Sequence, residues 1–174
     1  MDLKEDNIIP IFAHAFFCGS KEGNIKQVLQ FDYHDPNCFY KEIEQNEREF
    51  NKELNKLSLN MQSFLDEEKN YINNQQVYPK VKFIDIEFRV DTMPFITWII
   101  EFEGIFKKGI NEYLAITPEE KLDYNCRSIW SFTSKTRIIK VETRMIYEIN
   151  ENHIVFWANK DDIIGGKELI RFIM

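Results

Sequence analysis

The stretch DPNCFYKEIEQNEREFNKELNKLSLNMQSFLDEEKN, residues 35–70, decides how the rest of the chain is read. Ile43, Phe50, Leu54, Leu57, Met61 and Phe64 recur at separations of seven, four, three, four and three, the narrow apolar stripe of one packed helix face or a coiled-coil seam. Charged side chains such as Glu42, Arg48, Glu49, Lys52 and Lys56 cover the remaining surface. Asp35 supplies a capping oxygen and Pro36 a preset first φ, so the pattern predicts one amphipathic helix over residues 36–69. Such a helix would measure about 50 Å at 1.5 Å per residue. A compact globule of this length is only roughly 40 Å across. The helix is therefore expected to bend near Ser58–Asn60, where helix propensity dips, or to project and meet a partner. Glu47 interrupts the stripe, which favours a seam laid on the chain's own sheet over a dimeric coil.

On either side of this segment the chain reads as strand. Residues 8–18 form a short β-branched and aromatic run ending at Gly19-Ser20, and residues 25–33 a second, so 8–33 is expected to be a hairpin. Asn73-Asn74 divides two short alternating pieces, and Asn tolerates the positive φ of a two-residue hairpin turn. In residues 81–90 the apolar phase switches near Phe83-Ile84, which implies a bulge. Ile96, Trp98, Ile100, Phe102 and Phe106 mark the clearest core face, and Gly104 falls on it, leaving room for a neighbour. A return over 110–116 and strands near 124–132, 137–142, 144–149, 154–157 and 168–173 follow, with 161–166 as a loop. The expected fold class is α+β: a single domain, residues 1–174, whose about eight strands form an antiparallel β-sandwich or strongly curved sheet. Its parts are the hairpin 8–33, the helix 36–69 and the β-rich region 71–174.

Composition narrows the function classes. The chain is 44% apolar and 14% aromatic, which excludes disorder through lack of burial. With 29 acidic against 22 basic residues it lacks the positive field that nucleic-acid binding exploits. Three cysteines, Cys18, Cys38 and Cys126, fit a reducing interior rather than a disulfide framework. The start, Met1-Asp2-Leu3-Lys4-Glu5-Asp6, lacks a basic lead, and residues 8–17 are too short to span a bilayer, so the expected place is the cytoplasm, with no membrane partner.

Asn73-Asn74-Gln75-Gln76-Val77, Ile86-Glu87-Phe88-Arg89, Ile100-Glu101-Phe102-Glu103-Gly104, Asp123-Tyr124 with Trp130-Ser131-Phe132, and Gly165-Gly166-Lys167-Glu168 follow one another in an order that resembles a group of uncharacterised archaeal proteins. The resemblance spans roughly residues 60–172 and implies an archaeal source. It implies no activity, cofactor or residue role.

No stretch carries a catalytic signature. His14 with Cys18 and His34 with Cys38 invite a zinc reading, but extended residues four apart stand about 13 Å from one another, too far for one ion. Cys38 falls near the expected helix start, where a thiolate is favoured, with His34 the nearest base. Glu101 and Glu103 share a strand face about 6.6 Å apart, a spacing known from paired-carboxylate hydrolases and equally from solvated strands. Asp161-Asp162 before Gly165-Gly166 lacks the ligand count of a calcium loop. No metal and no cofactor are expected. The leading expectation is a non-catalytic interaction or assembly module that forms a homodimer or meets a protein partner. It would act through the possible interaction seam Phe50, Leu54, Leu57, Met61 and Phe64, or through a sheet edge. The alternative is a binding protein for a small apolar ligand in a cavity between sheet and helix, walled by Trp98, Trp130 and Trp157. A hydrolase using Cys38 or the Glu101/Glu103 pair comes third.

Overall fold

The computed structural model describes residues 7–174; residues 1–6, the expected non-basic lead, lie outside the described residues. Among the described residues the chain forms twelve strands and two helices, against the expected eight strands and one helix. In order these are β1 (Ile9–Gly19), β2 (Asn24–His34), α1 (Phe39–Ile43), α2 (Glu47–Glu67), β3 (Lys69–Ile72), β4 (Gln75–Val77) and β5 (Lys80–Val90). There follow β6 (Met93–Glu103), β7 (Ile110–Lys121), β8 (Asn125–Ser131), β9 (Arg137–Glu142), β10 (Ile146–Asn150), β11 (His153–Ala158) and β12 (Ile163–Ile173). The fold is α+β and mostly β. Seven strands build one sheet in the order β10-β11-β8-β1-β2-β6-β5, and five build a second in the order β4-β3-β7-β12-β9. The pairing is antiparallel save at the middle of the larger sheet, where β1 and β8 run parallel.

The expected hairpin 8–33 is present as β1 and β2, closed by a turn in which Ser20 Oγ accepts from the Glu22 and Asn24 amides, each at 3.2 Å. Asn73 and Asn74 both take positive φ, 50° and 67°, and join β3 to β4 in the tight turn their identity predicts. The phase switch in β5 is a register shift between Val81 and Phe83. Gly104 makes room for Ile72, whose Cβ would lie 2.9 Å from an added methyl. Of the expected loop 161–166, Asp161 and Asp162 do form a turn, but residues 163–166 begin β12, which pairs with β7 through a register shift beside Gly165; that irregularity lets β7 continue past Pro118.

The helix departs most from expectation. It is not continuous over 36–69, and it is unbroken through Ser58–Asn60. Asn46 stands in an extended conformation between α1 and α2, and its side chain accepts from the Arg48 and Glu49 amides at 3.1 and 3.3 Å. That cap starts a fresh helix, which ends at Glu67 before β3. Asp35 does cap, from outside: its buried Oδ2 accepts from the Tyr40 amide at 3.0 Å and orients α1. At 21 residues α2 spans about 31 Å, so nothing need project.

Phe50, Leu54, Leu57 and Met61 pack against Ile86, Ile96, Trp98 and Ile100 of β5 and β6. Phe64 leaves the stripe at 65% exposure, and Leu65, one residue on, is buried in its place. Ile96, Trp98, Ile100 and Phe102 all point to the same side of β6, as do Ile25, Leu29 and Phe31 on β2. Helix α2 covers that inner face at one end, around Trp98, and the five-stranded sheet covers it at the other, where Ile25, Phe102 and Trp130 meet Tyr113, Ile170 and Phe172. The two positions at the helix end separate the observed from the expected stripe. Leu65→Ala is expected to cost about 2–5 kcal/mol in chemical unfolding, and Phe64→Ala less than about 0.5 kcal/mol.

Candidate functional site

The inner faces of the two sheets do not fill the space between them evenly. Toward one end aromatic rings close it: Phe17 stacks on Trp130 at 4.4 Å between centroids, and Phe132 lies 4.5 Å from Phe172. Further along, the larger sheet presents Ala13, Ala15, Cys126 and Ser128, whose short side chains cannot reach the opposite wall. A cavity of about 200 Å³, partly open to solvent, remains there. Its far wall carries Tyr113 from β7 and Glu168 from β12.

Glu168 is the unexpected member. It alternates with Ile170 and Phe172 along β12, so strand geometry aims it inward with them. Thr143 Oγ1 donates to Glu168 Oε1 at 3.0 Å and itself accepts from the Met145 amide at 3.1 Å, which fixes the carboxylate in place. A second acid, Glu68, occupies the junction between α2 and β3. Asn70 Nδ2 donates to Glu68 Oε2 at 3.3 Å, and the Tyr113 hydroxyl donates to Asn70 Oδ1 at 2.7 Å, so a hydrogen-bonded chain runs from Glu68 to the cavity wall.

Burial raises the Glu168 carboxyl above its ordinary value of 4.5, and the Thr143 hydrogen bond offsets only part of this. Burial also raises Glu68, which is pushed further by the charges of Glu168 and Glu120. The Tyr113 phenol is held well above 10.0, first by burial and then by Glu68 and Glu168. Burial lifts the Cys126 thiol too, so that it stays neutral near pH 7. Among the described residues neither Glu68 nor Glu168 has a cationic partner, whereas surface acids such as Glu112, beside Arg171 at 2.6 Å, do. Arg127 also reaches the cavity lining but pairs with neither acid, and the two half-hidden carboxyls repel one another.

Of the residues singled out from sequence, Cys126 and Trp130 line the cavity and the others lie elsewhere. Cys38 precedes α1 with φ 53° and, like His34 at the end of β2, lines no part of the cavity. His14 and Cys18 sit on the outer face of β1, four residues apart along an extended strand. Glu101 is also on the outer side, 3.0 Å from Lys26, with Glu103 exposed beyond it. Asp161 pairs with Lys121 at 2.7 Å, and Asp162 Oδ2 accepts from the Asn159 amide at 2.8 Å, closing a turn. Among the described residues no group of three or more His, Cys, Asp or Glu side chains is placed to hold a metal ion. Of the three tryptophans only Trp130 borders the cavity; Trp98 lies under α2 and Trp157 on the outer face. The cavity accordingly lies between the sheets and not, as expected, between sheet and helix. No described helix is long and apolar enough to cross a membrane.

No protein-family model matches the chain, and no curated protein matches it. Among solved structures it is similar to a candidate protease from Parabacteroides distasonis, at 5% identity and a TM-score of 0.35, over 98% of this chain and 41% of that one. The chain spans less than half of that protein, and likeness at this score supports neither a shared fold nor shared chemistry.

The raised carboxyls give stability a definite pH dependence. Well below 4.5 both folded and unfolded chains hold the protons, and burial of Glu168 carries no charge penalty. As pH rises, the unfolded chain releases its proton first, so stability falls until the raised folded titration has been passed. Glu168→Gln keeps the Thr143 hydrogen bond and removes the charge. Calorimetry should find its Tm above that of the parent at about pH 8, with the gain fading by about pH 4. An unchanged difference across that range would contradict the assignment.

Proposed function

We propose that the chain is a binding protein for a small organic cation, a protonated amine on a short apolar body, held in the cleft between the two sheets. One observation carries this reading: Glu168 is half-buried in an apolar phase, braced by Thr143, and forms no ion pair among the described residues. A buried carboxylate without a partner is costly, and an ammonium group that enters the cleft supplies the missing charge together with hydrogen bonds. Glu68, Asn70 and the Tyr113 hydroxyl add a polar wall beside it, and Ala13, Ala15 and Trp130 offer an apolar bed for the rest of the ligand. A dry cavity of about 150 Å³ accepts benzene, so about 200 Å³ suits a ring with a one- or two-carbon amine arm. The two sheets act in this reading as the walls of an opened sandwich, kept apart where small side chains face Glu168.

Titration calorimetry with benzylamine and the uncharged benzyl alcohol tests this. The amine is expected to bind at least about tenfold more tightly, a difference of about 1.4 kcal/mol. Its affinity should rise with pH through the titration of Glu168, because the amine stays protonated while the carboxyl ionises. Glu168→Gln should abolish the preference and leave alcohol binding unaltered. Equal affinity for the two probes, or a preference that survives Glu168→Gln, would overturn the reading.

A further inference from the structure

The outer face of the larger sheet has a pattern that alternation alone does not produce. Followed through the strand registers, Phe83, Ile99, Val28, Phe16, Ile129 and Val155 stand side by side, one each from β5, β6, β2, β1, β8 and β11. None belongs to either core cluster, and no described element lies over them. Phe16, at the middle, is 38% exposed, and Phe83, at one end, 52%. Outward positions on such strands are ordinarily polar, so an unbroken apolar row six strands wide marks a face that is covered in use.

The neighbouring row says what covers it. It begins with Asp85 on β5, passes through Thr97, Gln30 and His14, and reaches Arg127 on β8. The pairs Lys26–Glu101 and Arg89–Asp32 on this side of the sheet are closed within the chain, at 3.0 and 3.2 Å. Asp85, whose Oδ1 accepts from the Ile86 amide, and Arg127 form no ion pair among the described residues. Opposite charges thus stand open four strands apart in one row, which runs on from Arg127 through Trp157 to Ile146.

We propose that this face docks a second copy of the same chain about a two-fold axis running parallel to the strands between β1 and β2. The axis sets Phe83 against Val155, Ile99 against Ile129 and Val28 against Phe16, so the apolar row covers itself. Each Arg127 is carried over Thr97 of the other copy, one strand, or about 4.8 Å, from that copy's Asp85. The charges therefore meet in both halves at once, as an isologous contact requires. Six strands at about 4.8 Å and three rows at about 6.8 Å, the apolar row flanked by the Thr97 row and by the row of Glu101, Lys26 and Cys18, give a footprint of about 590 Å² per copy. The total, about 1,200 Å², reaches the lower limit for a stable specific interface.

Light scattering and sedimentation of the full chain test the pairing. The expected mass is twice 20.9 kDa. Phe16→Lys should return it to 20.9 kDa with an unchanged far-ultraviolet spectrum, since Phe16 supports neither core cluster. Arg127→Asp and Asp85→Arg should each shift the chain toward monomer, and the two together should restore the dimer, which no unrelated partner would produce. A parent chain that stays monomeric overturns the proposal. A dimer that survives Phe16→Lys, or a double exchange that fails to re-form one, does the same.

Discussion

One sheet face too long for any single cover governs this structure. Strands β2 and β6 each run for 11 residues, about 36 Å, and their inner sides are apolar save for Gln27. Such a face has to be shielded along its whole length, because each large apolar side chain removed from water contributes about 1.5–3 kcal/mol. Helix α2 shields the stretch around Trp98 and Ile100; the five-stranded sheet shields the stretch around Ile25 and Phe102. Two covers of different kind meet at Glu68, where α2 gives way to β3. The cleft with its unpaired acids belongs to that junction, since neither cover packs fully there.

Much of the architecture was legible because its signals are local. Asn73-Asn74 could be read as a turn, the change of phase in β5 as a bulge, and Gly104 as an opening for a neighbour, each from a few adjacent residues. The helix break is also written locally. Asn46 followed three residues later by Glu49 is the pattern of a capped helix start, and Glu47, which interrupts the apolar stripe, belongs to the first turn of α2. Phe64 and Leu65 are the i+3 and i+4 neighbours of Met61, equally open to the stripe by helix geometry, and the last turn of α2 before β3 buries the second of them. The parallel pairing of β1 with β8 joins segments more than a hundred residues apart, and no local pattern encodes it.

The site was harder to see, although its trace is in the sequence. Of the residues with reactive names, Cys18, Cys38 and the adjacent acids lie at turns or on outer faces, and Cys126 reaches the cavity only as a small neutral side chain. The informative feature was a contradiction of type and position: a glutamate in step with Ile170 and Phe172, opposite a strand whose inward residues are the small Ala13 and Ala15. Polar and small side chains in a core phase on facing strands mark space kept open, and with it the place where charge is not balanced from within.

The account rests on Glu168 being a half-buried carboxyl with no ion-pair partner among the described residues. Site-resolved carbon-13 titration of that carboxyl, alone and with saturating benzylamine, measures this directly. A midpoint above 4.5 in the free protein, lowered when the amine is present, is the predicted result. A midpoint at or below 4.5, or one the amine leaves unmoved, would contradict it.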